Sequence, residues 1–396
     1  MNILFLTQRV PYPPNRGDKL RAFNEIKLLS RNHRILLTCL ADDEKDLAHR
    51  VPLSEFCASV DIVFNPPLRA KIRSLLHLVT SKPLTLPYFW SSALWNIVQR
   101  KIQSEKIDLI FSYCSSMAQY VDKVAGIPKV IDFVDVDSEK WAQYAQRSKF
   151  PHAQIYAAES RRLRKYEKFL AETFQHAFFV SAQEKRDFER LVVSRPNFTA
   201  LPNGVDRVLF HPPDAPAPGH ALIFTGAMDY FANVETVTYF AREILPLIRQ
   251  AVPDVTFYIV GSRPTEEVVQ LGKDDPNVIV TGFVESVLPY MHKAAAFVAP
   301  MRIARGLQNK ILEAMAAGVP VVTNSLGYEG IDAKRDEDVL VEDQPDRFAQ
   351  QVIRLLNEPQ LRERLAQNGQ RVIAQHYDWE TNLRHLEQIL AGISKN

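Results

Sequence analysis

The chain has 396 residues, 46% of them hydrophobic and 24% charged, with a formal net charge of +2. That balance excludes a mainly disordered chain, leaves room for two domains of ordinary size, and gives no global reason to expect a nucleic-acid partner. Cys39, Cys57 and Cys114 stand apart with no metal-type spacing, which excludes a disulfide framework and suits a reducing compartment.

The N-terminus, MNILFLTQRVPYPP, carries only a short apolar run and no charged leader region. The expectation is therefore a cytoplasmic chain, and no stretch approaches the roughly 18 apolar residues that span a bilayer. Ile3–Leu6 is the first predicted strand. A proline-stiffened loop follows, then Gly17 and a helix from Asp18 to about Ser30. A glycine there lets an anion approach the helix amides, and Arg16 and Arg21 would add charge; a rigid turn with two solvated arginines also fits.

Further apolar runs at Ile35–Leu40, Val60–Phe64, Leu109–Ser112, Val130–Phe133 and Ala177–Val180 complete the strands of this half. IDFVDVDSEKW (131–141) sets Asp132, Asp135 and Asp137 after one of them. Asp135 and Asp137 resemble a metal-binding Asp-x-Asp, but a carboxylate pair at a strand end reads better as capping or acceptor-orienting, so no metal is expected. Two basic stretches with interleaved aromatics, 69–90 and 140–168, fit either a solvated helix face or docking on an anionic membrane surface. RNA would need the same charges, but no recognisable binding module accompanies them.

HPPDAPAPGH (211–220) reads as a linker. Beyond it, strands are predicted at Ala221–Thr225, Val255–Val260, Val278–Thr281, Ala295–Ala299, Val319–Thr323 and Val339–Val341. Two series of strands separated by helical patterns imply two doubly wound α/β domains with parallel sheets, residues 1–210 and 221–378. A last helical segment, 379–396, could pack on either.

The most informative segment is APMRIARGLQNKILEAMAAGVPVVTN (299–324). It reads as strand, glycine turn, helix, glycine turn, strand. Gly306 is expected to open the helix and Gly318 to take positive φ at its end. At about 100° per residue, Leu307, Ile311, Leu312 and Met315 form an apolar arc, with Gly306, Lys310, Glu313 and Ala317 on the opposite stripe. Lys310 and Glu313 at the mouth of a strand-to-helix loop suit a phosphate and a sugar hydroxyl, or an ordinary surface ion pair. Serine-hydrolase, zinc-protease, P-loop and Gly-x-Gly-x-x-Gly motifs are absent from the sequence.

LPNGVD (201–206) with Phe210, TGAM (225–228), VGSRP (260–264), VTGFV (280–284) and KILEAMAAGVPVVT (310–323) occur in that order. Their series resembles the GT-B glycosyltransferases of family four over nearly the whole chain. VIDFVDVDSEKW and PYPPNRGDKLR further resemble a bacterial subgroup encoded with exopolysaccharide and exosortase (PEP-CTERM) systems. The resemblance implies two doubly wound, Rossmann-like domains facing a cleft. It implies a nucleotide-diphosphate sugar as donor substrate, no cofactor, and metal-independent transfer with retention of configuration. The partner would be a glycan or polyprenyl-linked acceptor, met in peripheral contact with the inner membrane face; no nucleic acid is expected.

Carried over by position, Glu313 would hydrogen-bond the donor ribose, and the Gly306 and Leu307 amides would meet the diphosphate. Backbone at Phe283 and Val284 would contact the base, Gly226 would line the donor site, and Gly17 would face the phosphates from the other domain. This chain departs from the family in having Arg305 where a second glutamate is usual, and MDYFANV where an arginine and a lysine are usual. A histidine usual at the end of the fourth N-terminal strand is unmatched in FSYCSS. Since a departing diphosphate needs cations or amide donors, Arg305 and Lys310 are expected to replace the missing pair, with Asp135 or Asp137 orienting the acceptor. The competing readings are a nucleotide-sugar epimerase on the same scaffold, a two-lobed sugar receptor, and a catalytically silent homologue.

Overall fold

The computed structural model describes residues 1–14, 17–214, 219–304 and 306–393. The chain divides into two compact units, Met1–Leu201 with Leu383–Asn396, and Pro202–Asn382. The division falls ahead of the proline-rich 211–220 segment because LPNGVD is tied down on both sides of it. The Leu201 carbonyl accepts from Arg21 of the first unit at 2.7 Å. Beyond it, the Val205 amide donates to the Tyr377 carbonyl at 2.9 Å, within the second unit.

The first unit is built on seven parallel strands: β1 (Asn2–Thr7), β2 (Arg34–Ala41), β3 (Ser59–Phe64), β4 (Leu109–Tyr113), β5 (Lys129–Val134), β6 (His176–Phe179) and β7 (Phe198–Ala200). Their order is β3-β2-β1-β4-β5-β6-β7. Helices cover the faces, so both sides of each central strand are apolar, and Ile3, Leu4, Phe5 and Leu6 are fully buried. Phe5 of β1 pairs with Phe111 of β4, and their rings stack at 4.5 Å. Phe178 of β6 continues the stack at 6.3 Å from Phe111. The short edge strand β7 has no apolar run in the sequence to announce it.

The second unit carries six parallel strands: β8 (Ala221–Thr225), β9 (Thr256–Val260), β10 (Val278–Gly282), β11 (Ala296–Ala299), β12 (Val321–Thr323) and β13 (Leu340–Val341). Their order is β10-β9-β8-β11-β12-β13. Strand order therefore reverses between β1 and β4 in the first sheet and between β8 and β11 in the second. Crevices beyond the carboxyl ends of strands at such reversals are where open α/β sheets bind ligands. Among the described residues, no helix is long and apolar enough to cross a membrane.

Phe111 is the central ring of its stack and is fully buried. Phe111→Ala should cost about 3–5 kcal/mol of unfolding free energy, read from denaturant titration. A loss under 1 kcal/mol, on the order of an exposed-site change, would show that the stack does not anchor the sheet.

Candidate active site

In the second unit the reversal point is formed by the tips of β8 and β11. Gly226 follows β8 with φ +155°, and Gly261 follows β9 with φ +152°. A Cβ on Gly261 would lie 1.8 Å from the Gly226 carbonyl oxygen, so the two strand tips pack backbone on backbone. A Cβ on Gly226 would lie 2.5 Å from Asn233 Nδ2, which instead donates to the Ala227 carbonyl at 2.9 Å. Glycine at both positions is thus a packing requirement, and it brings Asn233 of the helix Phe231–Tyr239 against the turn.

After β11 the chain does not enter a helix at Gly306, as its glycine signal predicts. Gly306 has φ +66°, which an α-helix cannot contain, and Met301, Ile303, Ala304 and Leu307 are buried as loop residues. The helix spans Asn309–Ala316 and follows Gln308. The Gly306 and Leu307 amides therefore lie in the loop before the helix. Gly318, by contrast, takes φ +70° after the C-terminus. Ile311, Leu312, Ala314 and Met315 are buried, which leaves Lys310 and Glu313 on the partly exposed stripe.

Lys310 Nζ donates to Asn233 Oδ1 at 2.5 Å and stands 4.9 Å from the centroid of the Phe224 ring. Among the described residues no carboxylate oxygen comes within ion-pair distance of it, so a neutral oxygen and a ring face hold the ammonium. Burial lowers the Lys310 pKa to about 8, against the opposing pull of Glu313. Burial raises the Glu313 pKa to about 7, against the opposing pull of Lys310. Glu313 has no hydrogen-bond partner among the described residues. The result is a half-desolvated cation and an unengaged carboxylate one helical turn apart, suited to a phosphate and a diol.

Other positions lie on the same sheet end. Gly282 closes β10 with φ +69°, and Phe283 beyond it is 76% exposed, with Val284 partly buried. Arg263, after β9, has φ +53° and pairs with Asp229 at 2.9 Å. Arg305, expected to share the diphosphate with Lys310, lies outside the described residues, as does Arg16.

Gly17, Asp135 and Asp137 belong to the first unit. Gly17 is the first residue of the helix Gly17–Leu29 and is exposed. Arg21, expected to offer its charge at this loop, is fully buried instead. Its Nε donates to Asp132 Oδ2 at 2.6 Å and lies 3.3 Å from Glu25 Oε1. Burial alone would lower the Arg21 pKa; Asp132, then Glu25, hold it above the ordinary value. Burial, then the Asp132 charge, push the Glu25 carboxyl well above the ordinary carboxylate range. A solvated arginine is not available here because Asp132, inside β5, would otherwise be an unpaired buried charge.

Val134 at the tip of β5 and Cys114 at the tip of β4 have φ of +65° and +69°. Such backbone strain in a β-branched and a small polar residue gathers at working loops. Asp137 starts the helix Asp137–Arg147, accepts from Ser115 Oγ at 3.2 Å, and is paired with Lys140 Nζ. Buried Glu184 and Glu167 take the Val136 and Ser138 amides at 2.8 and 2.9 Å, pinning the loop that carries Asp135. Among the described residues neither aspartate belongs to a cluster of three or more metal-ligating side chains.

Asn233 is the site residue that sequence reading passes over. The only signal is negative: MDYFANV lacks the cations that the resemblance leads one to expect, and Asn233, the third residue of its helix, is what meets Lys310 instead.

Residues 219–358 match the family described as Glycosyl transferases group 1. A GDP-mannose-dependent monoacylated alpha-(1-6)-phosphatidylinositol monomannoside mannosyltransferase of Corynebacterium glutamicum is 28% identical over 54% of this chain. The chain spans 61% of that relative's length. An uncharacterized 44.6 kDa protein in the cps region of Klebsiella pneumoniae is 20% identical over 95% of this chain and 96% of its own length. Among solved structures, sucrose-phosphate synthase from Thermosynechococcus elongatus superposes with a TM-score of 0.77 at 16% identity, covering 99% of both chains. HepE from Anabaena in complex with UDP-glucose gives 0.71 at 17% identity, covering 99% of this chain and 100% of that one. These likenesses place both parallel-sheet units in the GT-B fold.

The opposed shifts of Lys310 and Glu313 have a consequence for binding. The ionised form of Glu313, the form that would accept from a ligand diol, is lost as pH falls through about 7; the Lys310 cation is lost as pH rises through about 8. Nucleotide-diphosphate affinity should therefore peak between those values in a calorimetric pH series. Glu313→Gln should flatten the acid limb, and Lys310→Arg should carry the alkaline limb upward. Identical profiles in all three proteins would remove the pair from the binding site. The strand tips, loop and helix all fall within residues 219–358, the part of the second unit that matches the Glycosyl transferases group 1 family.

Proposed function

We propose that this protein is a metal-independent, retaining glycosyltransferase that moves a sugar from a nucleotide-diphosphate donor to a glycan or polyprenyl-linked acceptor. We further propose that it works in exopolysaccharide biosynthesis at the inner face of the cytoplasmic membrane, in the PEP-CTERM-associated subgroup. The observation that carries the transferase reading is the Lys310–Asn233–Glu313 arrangement at the β8/β11 reversal, inside the matched domain. HepE, crystallised with UDP-glucose, supports a sugar nucleotide as the donor class, and the mannosyltransferase relative supports transfer to a lipid-linked sugar. The cps-region relative supports a polysaccharide context.

In this mechanism Glu313 hydrogen-bonds the donor ribose and Phe283 with Val284 meets the base. Lys310 leaves Asn233 for the diphosphate and gives charge to the departing oxygen, where it develops during bond breaking. Arg305, which lies outside the described residues, would be the second cation for the diphosphate. The donor's own phosphate takes the acceptor proton, and Asp135 orients the acceptor, so the protein positions and stabilises charge. Asp137, held by Ser115 and Lys140, fixes the loop that presents Asp135.

A thermal-shift panel of UDP, GDP, ADP and dTDP with their sugars tests the reading. The matching donor at 100 times its Kd should stabilise the protein by about 2.7 kcal/mol. With that donor, Lys310→Ala should lower turnover about 10²–10³-fold at saturation, and the product anomer, read by NMR, should keep the donor's configuration. No shift with any nucleotide, or full turnover in Lys310→Ala and Arg305→Ala alike, would sink it.

A further inference from the structure

The first unit contains a helix with its apolar face turned the wrong way. Pro67–Leu75 and the turn that follows expose Leu68 (72%), Ile72 (54%), Leu75 (57%), Leu76 (73%) and Val79 (95%). These positions recur at helical spacing and make one stripe. In an ordinary surface helix that stripe would face the core, yet here the inward side is fastened largely by polar bonds. Arg73 donates to the Tyr88 carbonyl at 2.9 Å and to Asn65 Oδ1 at 3.0 Å. Ser74 Oγ donates to the Leu84 carbonyl at 2.8 Å. Arg162, from the helix His152–Thr173, donates to the Leu78 carbonyl at 2.9 Å. Buried Glu159 of that helix takes the Thr85 amide at 2.9 Å. The stripe is therefore held outward by a fixed frame.

Charge says what covers it. From Ile62 to Ser104 the sequence has no Asp or Glu, and Arg69, Lys71 and Lys82 beside the stripe are exposed. On the adjoining helix, Arg161, Lys165 and Lys168 are exposed as well. In the second basic stretch three aromatics pack on one another, Trp141 lying 5.2 Å from Tyr156 and 5.8 Å from Tyr144, and Phe150 alone of its large apolar residues is as exposed as the stripe.

We infer that residues 67–82 are an interfacial anchor that docks on an anionic phospholipid bilayer, with the five apolar side chains among the acyl chains and the cations among the phosphates. A segment of this length lies in the interface and does not span it. A second copy of the chain is the poorer occupant, since a two-fold contact would set Arg69, Lys71 and Lys82 against their own like charges. The nearly complete exposure of Val79 marks a protruding edge, which suits insertion better than it suits a peptide groove. The inference shares membrane contact with the proposed function, but it stands on its own element and needs no donor or acceptor.

Sedimentation with phosphatidylcholine vesicles, with and without phosphatidylglycerol, tests it on the full chain. The unmodified protein should bind the mixed vesicles, release with salt, and leave the neutral ones in solution. Leu76→Glu with Val79→Glu should abolish binding, and Arg69→Gln with Lys71→Gln should weaken it roughly thirtyfold. Both variants alter exposed side chains, so an unchanged melting temperature and nucleotide shift should accompany the loss. Failure to bind mixed vesicles, equal binding to neutral ones, or full binding by the Leu76/Val79 variant would overturn the inference. So would a dimer in the absence of lipid that the same variant dissociates. A nucleotide shift that persists without vesicle binding removes the anchor alone; vesicle binding without any nucleotide shift removes the transferase reading alone.

Discussion

An ammonium held without a carboxylate is the constraint on which the second unit turns. Lys310 is kept by the amide oxygen of Asn233 and the face of Phe224, partners that orient a cation without cancelling it. A salt bridge in the same place would neutralise the charge before an anion arrived. Burial destabilises the cation, and in the proposed reaction a diphosphate is the partner that would offset this. Glu313, one turn on, is left with its oxygens unengaged by any described side chain and with burial raising its pKa to about 7. Both groups sit where the β8/β11 reversal opens the sheet, so fold and chemistry meet at one point.

The first unit solves the opposite problem. Asp132 is fully buried within β5, and an isolated carboxylate there would cost several kcal/mol. Arg21 donates to it directly and also to the Leu201 carbonyl, joining the first helix, the fifth strand and the last residue of the unit's main body. Here the ion pair is closed and structural. The strained tips at Cys114 and Val134 rise from strands β4 and β5, the latter carrying that anchor, and the loop bearing Asp135 is pinned by Glu167 and Glu184. Charge is thus neutralised where it holds the fold and left open at Lys310, where the donor is proposed to bind.

Much of this was legible in the residues. Apolar runs located twelve of the thirteen strands among the described residues; the central ones are buried on both faces and have no alternation to confuse with surface. The exception, Phe198–Ala200, is an edge strand too short to need an apolar run. The Lys310–Glu313 stripe followed from helical periodicity. Its exact start did not, since Gly306 reads equally as a helix opener and as a left-handed loop residue, and only the burial of Ile303, Ala304 and Leu307 decides between them. Arg21 was misread for a related reason: nothing in a single sequence distinguishes a solvated arginine from one that neutralises an aspartate 111 positions away. Asn233 was invisible for want of charge. The outward stripe at 67–79 reads from sequence as any amphipathic helix would, and only exposure reveals which way it faces.

In the proposed reaction the Lys310 ammonium exchanges a neutral partner for a diphosphate. A crystal structure with the nucleotide diphosphate selected by thermal shift measures this most directly. The expected structure has a pyrophosphate oxygen within hydrogen-bond distance of Lys310 Nζ, the Asn233 contact lengthened or lost, and a ribose hydroxyl on Glu313. A nucleotide bound elsewhere, with Lys310 still 2.5 Å from Asn233, would contradict it.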